Sequence, residues 1–340
     1  MKYIVVGDTH IGIKKSSKKY HQVAISLFTD ICKYARENGI KYLIQTGDLF
    51  DNRKALTHNS IECALEIGDM VSETFEETYF IVGNHDTSSK DTMFPHSLII
   101  FNKYDNIEVI DEPFVTEDQV VMIPWLFDVD NMPNGNICIG HFDINGAQMN
   151  SAGTVSCNHR LKFSDFSKYE LTLSGHYHTP GEYAYNVNYI GSPYQLTFND
   201  IDSNRGFHIL DTDLYGGDPN CLRFLPFVDY PKHISITDKT TTNTNIKGNI
   251  VRLTFTDDHG LDGNKEIIDK VRGFDPYSLR INYSRLDKGM TEEDIKDDIS
   301  IKSKLEILNE FHAKSDLPEG INRVLLNKVS ESIYKELMNV

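Results

Sequence analysis

Five short segments of the 340-residue chain set carboxylates, amides and imidazoles directly behind a glycine: GDTH at 7–10, GDLFD at 47–51, GNHD at 83–86, GH at 140–141 and GHYH at 175–178. Each closes an apolar run that reads as a strand: KYIVV, KYLIQT, YFIV, NICIG and ELTLSG. Alone, any one of them is ordinary. Gly-Asn is a common turn signal, and a single His at a strand end is usually a structural residue. Together they hold five of the 13 histidines, which chance does not easily produce. Oxygen and nitrogen donors without thiolate suit a pair of Mn, Fe or Zn ions, with Mn favoured as oxygen ligands increase. Asp8 and His10 lie two residues apart, as do His176 and His178, so in extended backbone each pair can face one side. One Asp can bridge two ions about 3.5–4 Å apart, a pairing that activates water and clamps the entering and leaving oxygens of a phosphate ester. The glycines read as permitting tight strand-to-loop turns that leave the side chains on the rim.

The elements that must position these residues alternate in the first half of the chain. Strand 2–6 precedes a helix over 20–37, where Val23, Leu27, Ile31 and Tyr34 share a face and Asn38-Gly39 makes the stop. Strand 41–46, an amphipathic helix over 58–75 and strand 79–82 follow. This order predicts an α/β sheet of parallel strands with ligands at the carboxyl ends. The later strands, 120–124, 136–140, 170–175, 187–191 and 206–211, read as mixed and more antiparallel. The fold expected is therefore a two-sheet α/β sandwich, with all five motifs on one sheet edge. HISIT, a polar Thr/Asn stretch, NIVRLTFT, a short helix near 263–273 and YSLRINYS predict a small α+β unit. The acidic TEEDIKDDIS precedes two amphipathic helices, a hairpin too small to bury its apolar surface unaided. The division expected is a site-bearing domain over 1–228, a small domain over 229–288, a linker over 289–300 and a helical hairpin over 301–340.

Apolar residues at 39% and charged residues at 25% describe a globular chain. No apolar run reaches the length of a membrane span, and MKYIVVGD reads as a first strand rather than a signal peptide. Five cysteines without CxxC spacing argue against a thiolate site or a disulfide framework, and for a cytoplasmic, reducing location. A net charge of −16 speaks against nucleic acid, yet bound cations add charge that the composition does not count. KKSSKK concentrates Lys14, Lys15, Lys18 and Lys19 just after the first motif; alone, that run is a solvated loop.

In order, D-x-H, GD-x-x-D, GNHD, GH and GH-x-H resemble the motifs of calcineurin-like metallophosphoesterases. DTHIG, QTGDLFDNRKALTH at 45–58, IGSPYQLTF at 190–198 and RGFHILD at 205–211 resemble the Mre-eleven/SbcD nuclease branch, its phage members most of all. The likeness covers the first 211 residues by motif and the rest by layout. It implies a two-metal DNA nuclease, exonuclease on duplex and endonuclease on single strands, in DNA end processing, recombination and repair. Its ions would be Mn²⁺, or alternatively Mg²⁺. Asp8, His10, Asp48 and His178 would hold one ion; Asp48, Asn84, His141 and His176 the other. His85 would act as the acid at the leaving oxygen. An imidazole with a pKa near about 6.5 suits that role, and a carboxylate neighbour would raise it. Asp51 stands where phosphatase relatives have the Asp that orients this His, and Asp86 would only support the site. Lys14, Lys15, Lys18, Lys19 and Arg53 would meet DNA. The resemblance makes 229–288 a DNA-contacting cap and 301–340 the dock for an SbcC-type coiled-coil ABC ATPase. Helix 58–75 would join two copies, giving a heterotetramer in the cytoplasm, that of the host for a phage protein. The alternatives are a phosphodiesterase or phosphatase acting on nucleotides or phosphoproteins, and a DNA-end scaffold. Protein phosphatases carry Arg directly after the second Asp and end the next motif as GNHE, whereas this chain has Asn52 before Arg53, and GNHD. A scaffold would show gaps in the ligand set, and the sequence has none.

Overall fold

A computed structural model describes residues 1–149, 154–156, 160–201, 203–214, 218, 220–240, 245–257, 259–284 and 328–329. Met1–Ser284 form one compact unit and Arg285–Val340 a second. The linker 289–300 and the hairpin 301–340 lie outside the described residues, Lys328 and Val329 apart.

The chain opens with β1 (Lys2–Val6), a short turn α1 (Ile13–Ser16), α2 (Lys18–Asn38), β2 (Tyr42–Gln45), α3 (His58–Thr74) and β3 (Glu77–Ile81). A hairpin, β4 (Thr87–Ser89) and β5 (Thr92–His96), leaves directly from GNHD, and β6 (Ile107–Ile110) follows. Next come β7 (Phe114–Val115), β8 (Val120–Ile123), β9 (Ile137–His141), β10 (Leu171–Gly175), β11 (Gly181–Glu182) and β12 (Val187–Tyr189). β13 (Gly206–Asp211) and β14 (Leu222–Pro226) complete the sandwich. One sheet runs β14-β13-β1-β2-β3-β6 and the other β11-β12-β10-β9-β8-β7.

This is the expected α/β sandwich, with one difference. β8, β9, β10 and β12 pair parallel, and in their sheet antiparallel pairing is confined to the edges at β7 and β11. β8 and β9 are buried along their whole length and β10 along all but its first residue, the usual setting of parallel strands. The sequence hides this because, among the described residues, the crossovers between them carry short 3₁₀ turns in place of helices.

Alternation along the strands builds the layers. Ile4, Val6, Leu43 and Phe80 turn outward onto α2 and α3, while Tyr3, Val5, Ile44 and Ile81 turn inward against Met122, Ile139 and Leu173 of the second sheet. Val121, Ile123 and Cys138 face a third layer of irregular chain around Phe142 and Phe166. α2 buries Val23, Leu27, Phe28 and Ile31 and ends at Gly39, whose φ of 66° a side chain would resist. α3 starts at Thr57, whose hydroxyl accepts from Ser60 N at 3.2 Å. Its Ile61 and Leu65 stay partly exposed, so its apolar content does exceed the buried stripe.

A third sheet of β15 (His233–Thr237), β16 (Ile250–Phe255) and β17 (Ser278–Tyr283) is all parallel, with α4 (Gly260–Gly273) crossing between the last two strands. It has its own small core of Ile236, Val251, Leu253, Phe255 and Val271. Lys19 ties it to the start of α2: the ammonium donates to Tyr277 O at 2.6 Å and lies over the Tyr277 ring.

Candidate metal centre

The motif residues stand at the carboxyl ends of β1, β2, β3, β9 and β10. Three of these strands belong to the first sheet and two to the second, so the site lies on the seam between the sheets rather than on one sheet edge. The glycines make the seam possible. Only Gly47, at φ 103°, needs left-handed backbone. The others serve close approach: a Cβ on Gly83 would fall 2.2 Å from Asp48 N, and one on Gly175 would fall 2.5 Å from Asp8 Oδ1. Strain sits on other motif residues instead. His10, Asp48 and His176 hold φ of 51°, 53° and 86°, a region that costs a non-glycine residue about 1–3 kcal/mol.

The side chains converge in two sets. Asp8, His10 and His178 form the first, with His10 Nε2 3.0 Å from His178 Nε2 and His178 Nε2 3.8 Å from Asp8 Oδ2. Asp48, His141 and His176 form the second, with Asn84 Oδ1 3.0 Å from His141 Nε2 and 2.8 Å from His176 Nδ1. Asp48 also reaches toward the first set. Its Oδ2 lies 3.3 Å from His141 Nε2 and 3.9 Å from His10 Nε2. His141 Nδ1 faces Thr46 O at 2.9 Å, so a neutral ring carries its hydrogen there and turns the Nε2 lone pair on Asn84 and Asp48. These converging acceptor atoms call for positive charge between them, a proton or a cation. All seven sequence-designated ligands are brought together, and the oxygen and nitrogen donor set fits a pair of divalent ions.

Charge within the site follows the same geometry. Burial resists ionising His141, but the Asp48 carboxylate outweighs it and lifts the imidazole to about 9. Burial also opposes Asp48, yet His141, His10 and His85 hold it well below the usual carboxylate range. Burial, reinforced by the Asp48 charge, pushes Asp8 up to about 7. Burial and the nearby His141 depress His176 to about 3, which keeps that ring neutral and able to coordinate.

Around the ligands, polar groups lock the loops. The Asp86 carboxylate accepts from Gly83 N at 2.9 Å, Phe50 N at 3.0 Å and Leu49 N at 3.4 Å, joining the second motif to the third. Asp48 Oδ1 accepts from His85 N at 2.7 Å. Arg205 is buried against Asp200 at 2.9 Å and Ser192 Oγ at 2.8 Å, and donates to the carbonyl of His178. Breaking a buried ion pair of this kind costs about 3–5 kcal/mol. Sequence reading gave Arg205 no role, and its place in RGFHILD was the one available signal.

Asp51 departs from expectation. Its carboxylate approaches His10, with Oδ1 3.4 Å from Nδ1, while His85 Nδ1 meets its backbone carbonyl at 2.7 Å. The expected rise in the His85 pKa is absent: burial lowers it despite Asp48, and the Arg53 charge lowers it further. Asp51→Asn should therefore weaken metal binding about 10–100-fold, as loss of a ligand-orienting carboxylate does. Calorimetric Mn²⁺ titration checks this, and unchanged affinity with a selective loss of turnover would return Asp51 to His85.

Of the residues expected to meet DNA, Lys14, Lys15 and Lys18 are exposed, and Arg53 is partly exposed beside His85. Lys14 and Lys15 sit at φ 54° and 60°, on a left-handed turn that follows Gly12. Lys19 is engaged with Tyr277.

The sequence profile of the calcineurin-like phosphoesterase family matches residues 1–180. The chain is 30% identical over 351 aligned positions to Exonuclease subunit 1 of enterobacteria phage T4, with 99% of each chain covered. Among solved structures, a dimetal phosphatase from Danio rerio is similar at 10% identity, covering 62% of this chain and 91% of its own, with a TM-score of 0.38. Among the described residues, no helix is long and apolar enough to cross a membrane.

Proposed function

We propose that this chain, which belongs to the calcineurin-like phosphoesterase family and is a metal-dependent phosphodiester hydrolase, is a DNA nuclease. The observation that carries the chemistry is Asp48, whose one carboxylate oxygen stands between the two imidazole sets. DNA as substrate is supported by the likeness to Exonuclease subunit 1, which runs past residue 180 through the rest of the chain. Two divalent ions, when bound, supply water activation and neutralise the phosphodiester. Asp8, His10, Asp48 and His178 would hold one and Asp48, Asn84, His141 and His176 the other, with Mn²⁺ favoured by the donor set. Asp51 O holds the His85 Nδ1 hydrogen, which leaves Nε2 to deliver a proton to the leaving oxygen. An arriving phosphate anion favours the charged imidazole that this requires. Arg53, close enough to His85 to bear on its charge, would face that phosphate.

The activity is duplex exonuclease with single-strand endonuclease, in recombination and repair within the cytoplasm. Residues 1–228 form the nuclease domain and 229–288 a DNA-contacting cap, supported by the separate core of the third sheet. An SbcC-type ATPase docks on 301–340, supported by the four-residue spacing of Ile321, Leu325, Val329, Ile333 and Leu337. A homodimer forms through α3, whose Ile61 and Leu65 are left partly exposed.

The purified chain with Mn²⁺, assayed with and without such an ATPase, should cut linear duplex DNA and hydrolyse bis-p-nitrophenyl phosphate. Turnover of the small ester with no cutting of DNA under either condition would make it a small-molecule phosphodiesterase.

A further inference from the structure

The carboxyl end of one more parallel strand reaches this site. β8 ends at Ile123, and Pro124-Trp125 follow where the neighbouring strands present ligands. Trp125 is the sole tryptophan of the chain. Its ring lies 5.2 Å from that of His176 at an interplanar angle of 32°, and 6.0 Å from that of His141. It is held at two points. Its backbone N donates to Val82 O at 2.9 Å, one residue before the GNHD segment, and its indole Nε1 donates to Lys90 O at 3.1 Å at the tip of the β4–β5 hairpin.

These anchors have a chemical meaning. The indole N–H is already satisfied, so nothing polar on the side chain seeks a further partner. The ring cannot swing away, because the hairpin fixes its far edge. Yet the residue is partly exposed. A partly exposed aromatic side chain beside the hydrolytic centre offers a stacking partner to something flat. A nucleobase next to the scissile phosphate is flat, has a π face whatever its identity, and is tied to the reacting atoms by one sugar. We infer that Trp125 is a nucleobase-stacking platform, which makes the site prefer base-bearing phosphodiesters over bare ones. This inference rests on the DNA reading above. It assigns the chain a specificity residue, not a further catalytic group.

With one tryptophan, all indole emission comes from position 125. Mn²⁺-loaded His85→Ala protein, which should bind without cutting, titrated with single-stranded oligothymidylate should show saturable quenching, and an abasic oligomer of equal length should quench weakly or not at all. Equal quenching by the two, or none by either, would overturn the inference. This arm needs no cleavage, so it is decided separately from the nuclease assignment, which fails only if Mn²⁺-loaded wild type leaves DNA uncut. In the cleavage arm, Trp125→Ala should lose about tenfold or more of kcat/KM on the base-bearing strand, little on the abasic one, and Trp125→Phe should recover most of it. An unchanged preference for bases in Trp125→Ala would also overturn it. Should that variant lose Mn²⁺ affinity, Trp125→Leu keeps bulk against His176 and is read in the same way.

Discussion

Asp48→Asn should abolish metal-dependent hydrolysis and, in the same variant, the metal-dependent rise in melting temperature. The substitution is mild for the fold. Asn tolerates the left-handed backbone at φ 53°, and its carbonyl oxygen can still accept from His85 N. The change falls on Oδ2, which stands between His141 and His10. There the amide places two N–H donors where a cation would sit, and removes the one negative charge both sets share. A metal that binds only the folded state stabilises it by about 2.7 kcal/mol at a hundredfold excess over Kd. Wild type should show that increment with Mn²⁺ and lose it to a chelator, while Asp48→Asn should melt at one temperature throughout. Its affinity should fall further than the about 10–100-fold expected of an orienting partner such as Asp51. A wild-type melting shift in the variant would remove Asp48 from the shared position.

His85→Ala should lower kcat about 10²–10⁴-fold while leaving both metal equivalents bound. His85 lies close to His10 and Asp51, so proximity alone would allow it a ligand's role. The hydrogen bond decides between them. Nδ1 is committed to the Asp51 carbonyl, the ring stands on the half-exposed side of the site, and the Asp48 and His141 pair is completed by Asn84 and His176 without it. A proton-transfer residue removed from that place costs turnover and spares affinity. Calorimetric stoichiometry together with single-turnover rates separates the two roles. If the variant binds one ion fewer, His85 is a ligand and the acid must be sought elsewhere.

The motif residues were legible because coordination chemistry permits few residue types, and because a glycine at the head of each of the five motifs left a repeated mark. The mark was partly misread. The glycines suggested turns, but Gly83 lets its loop touch the one after neighbouring β2, and Gly175 lets β10 touch residues of the facing sheet, a tertiary fact with no local pattern. The split of the five strand ends between two sheets was equally hidden, since strand pairing partners leave no trace in a strand's own residues. Asp51 was found and its side chain misdirected: sequence names a residue, while the difference between carboxylate and carbonyl is a matter of backbone path. Trp125 was overlooked because aromatic residues after apolar strands are common. Its position at a sixth carboxyl end became informative only once β8 was known to run parallel with β9.

The position of the centre between the two sheets also bears on how the protein matures. Asp8 and His178, which share one ion set, are separated by almost half the chain. A nascent polypeptide cannot assemble either set from neighbouring residues; both need one sheet docked on the other, and closing so long a loop is entropically costly. An ion captured then acts on the finished sandwich and retards its opening, without hastening its formation. On this geometry a molecule with its sheets misaligned should hold no metal and remain chemically silent, so that an unfinished enzyme would also be a harmless one.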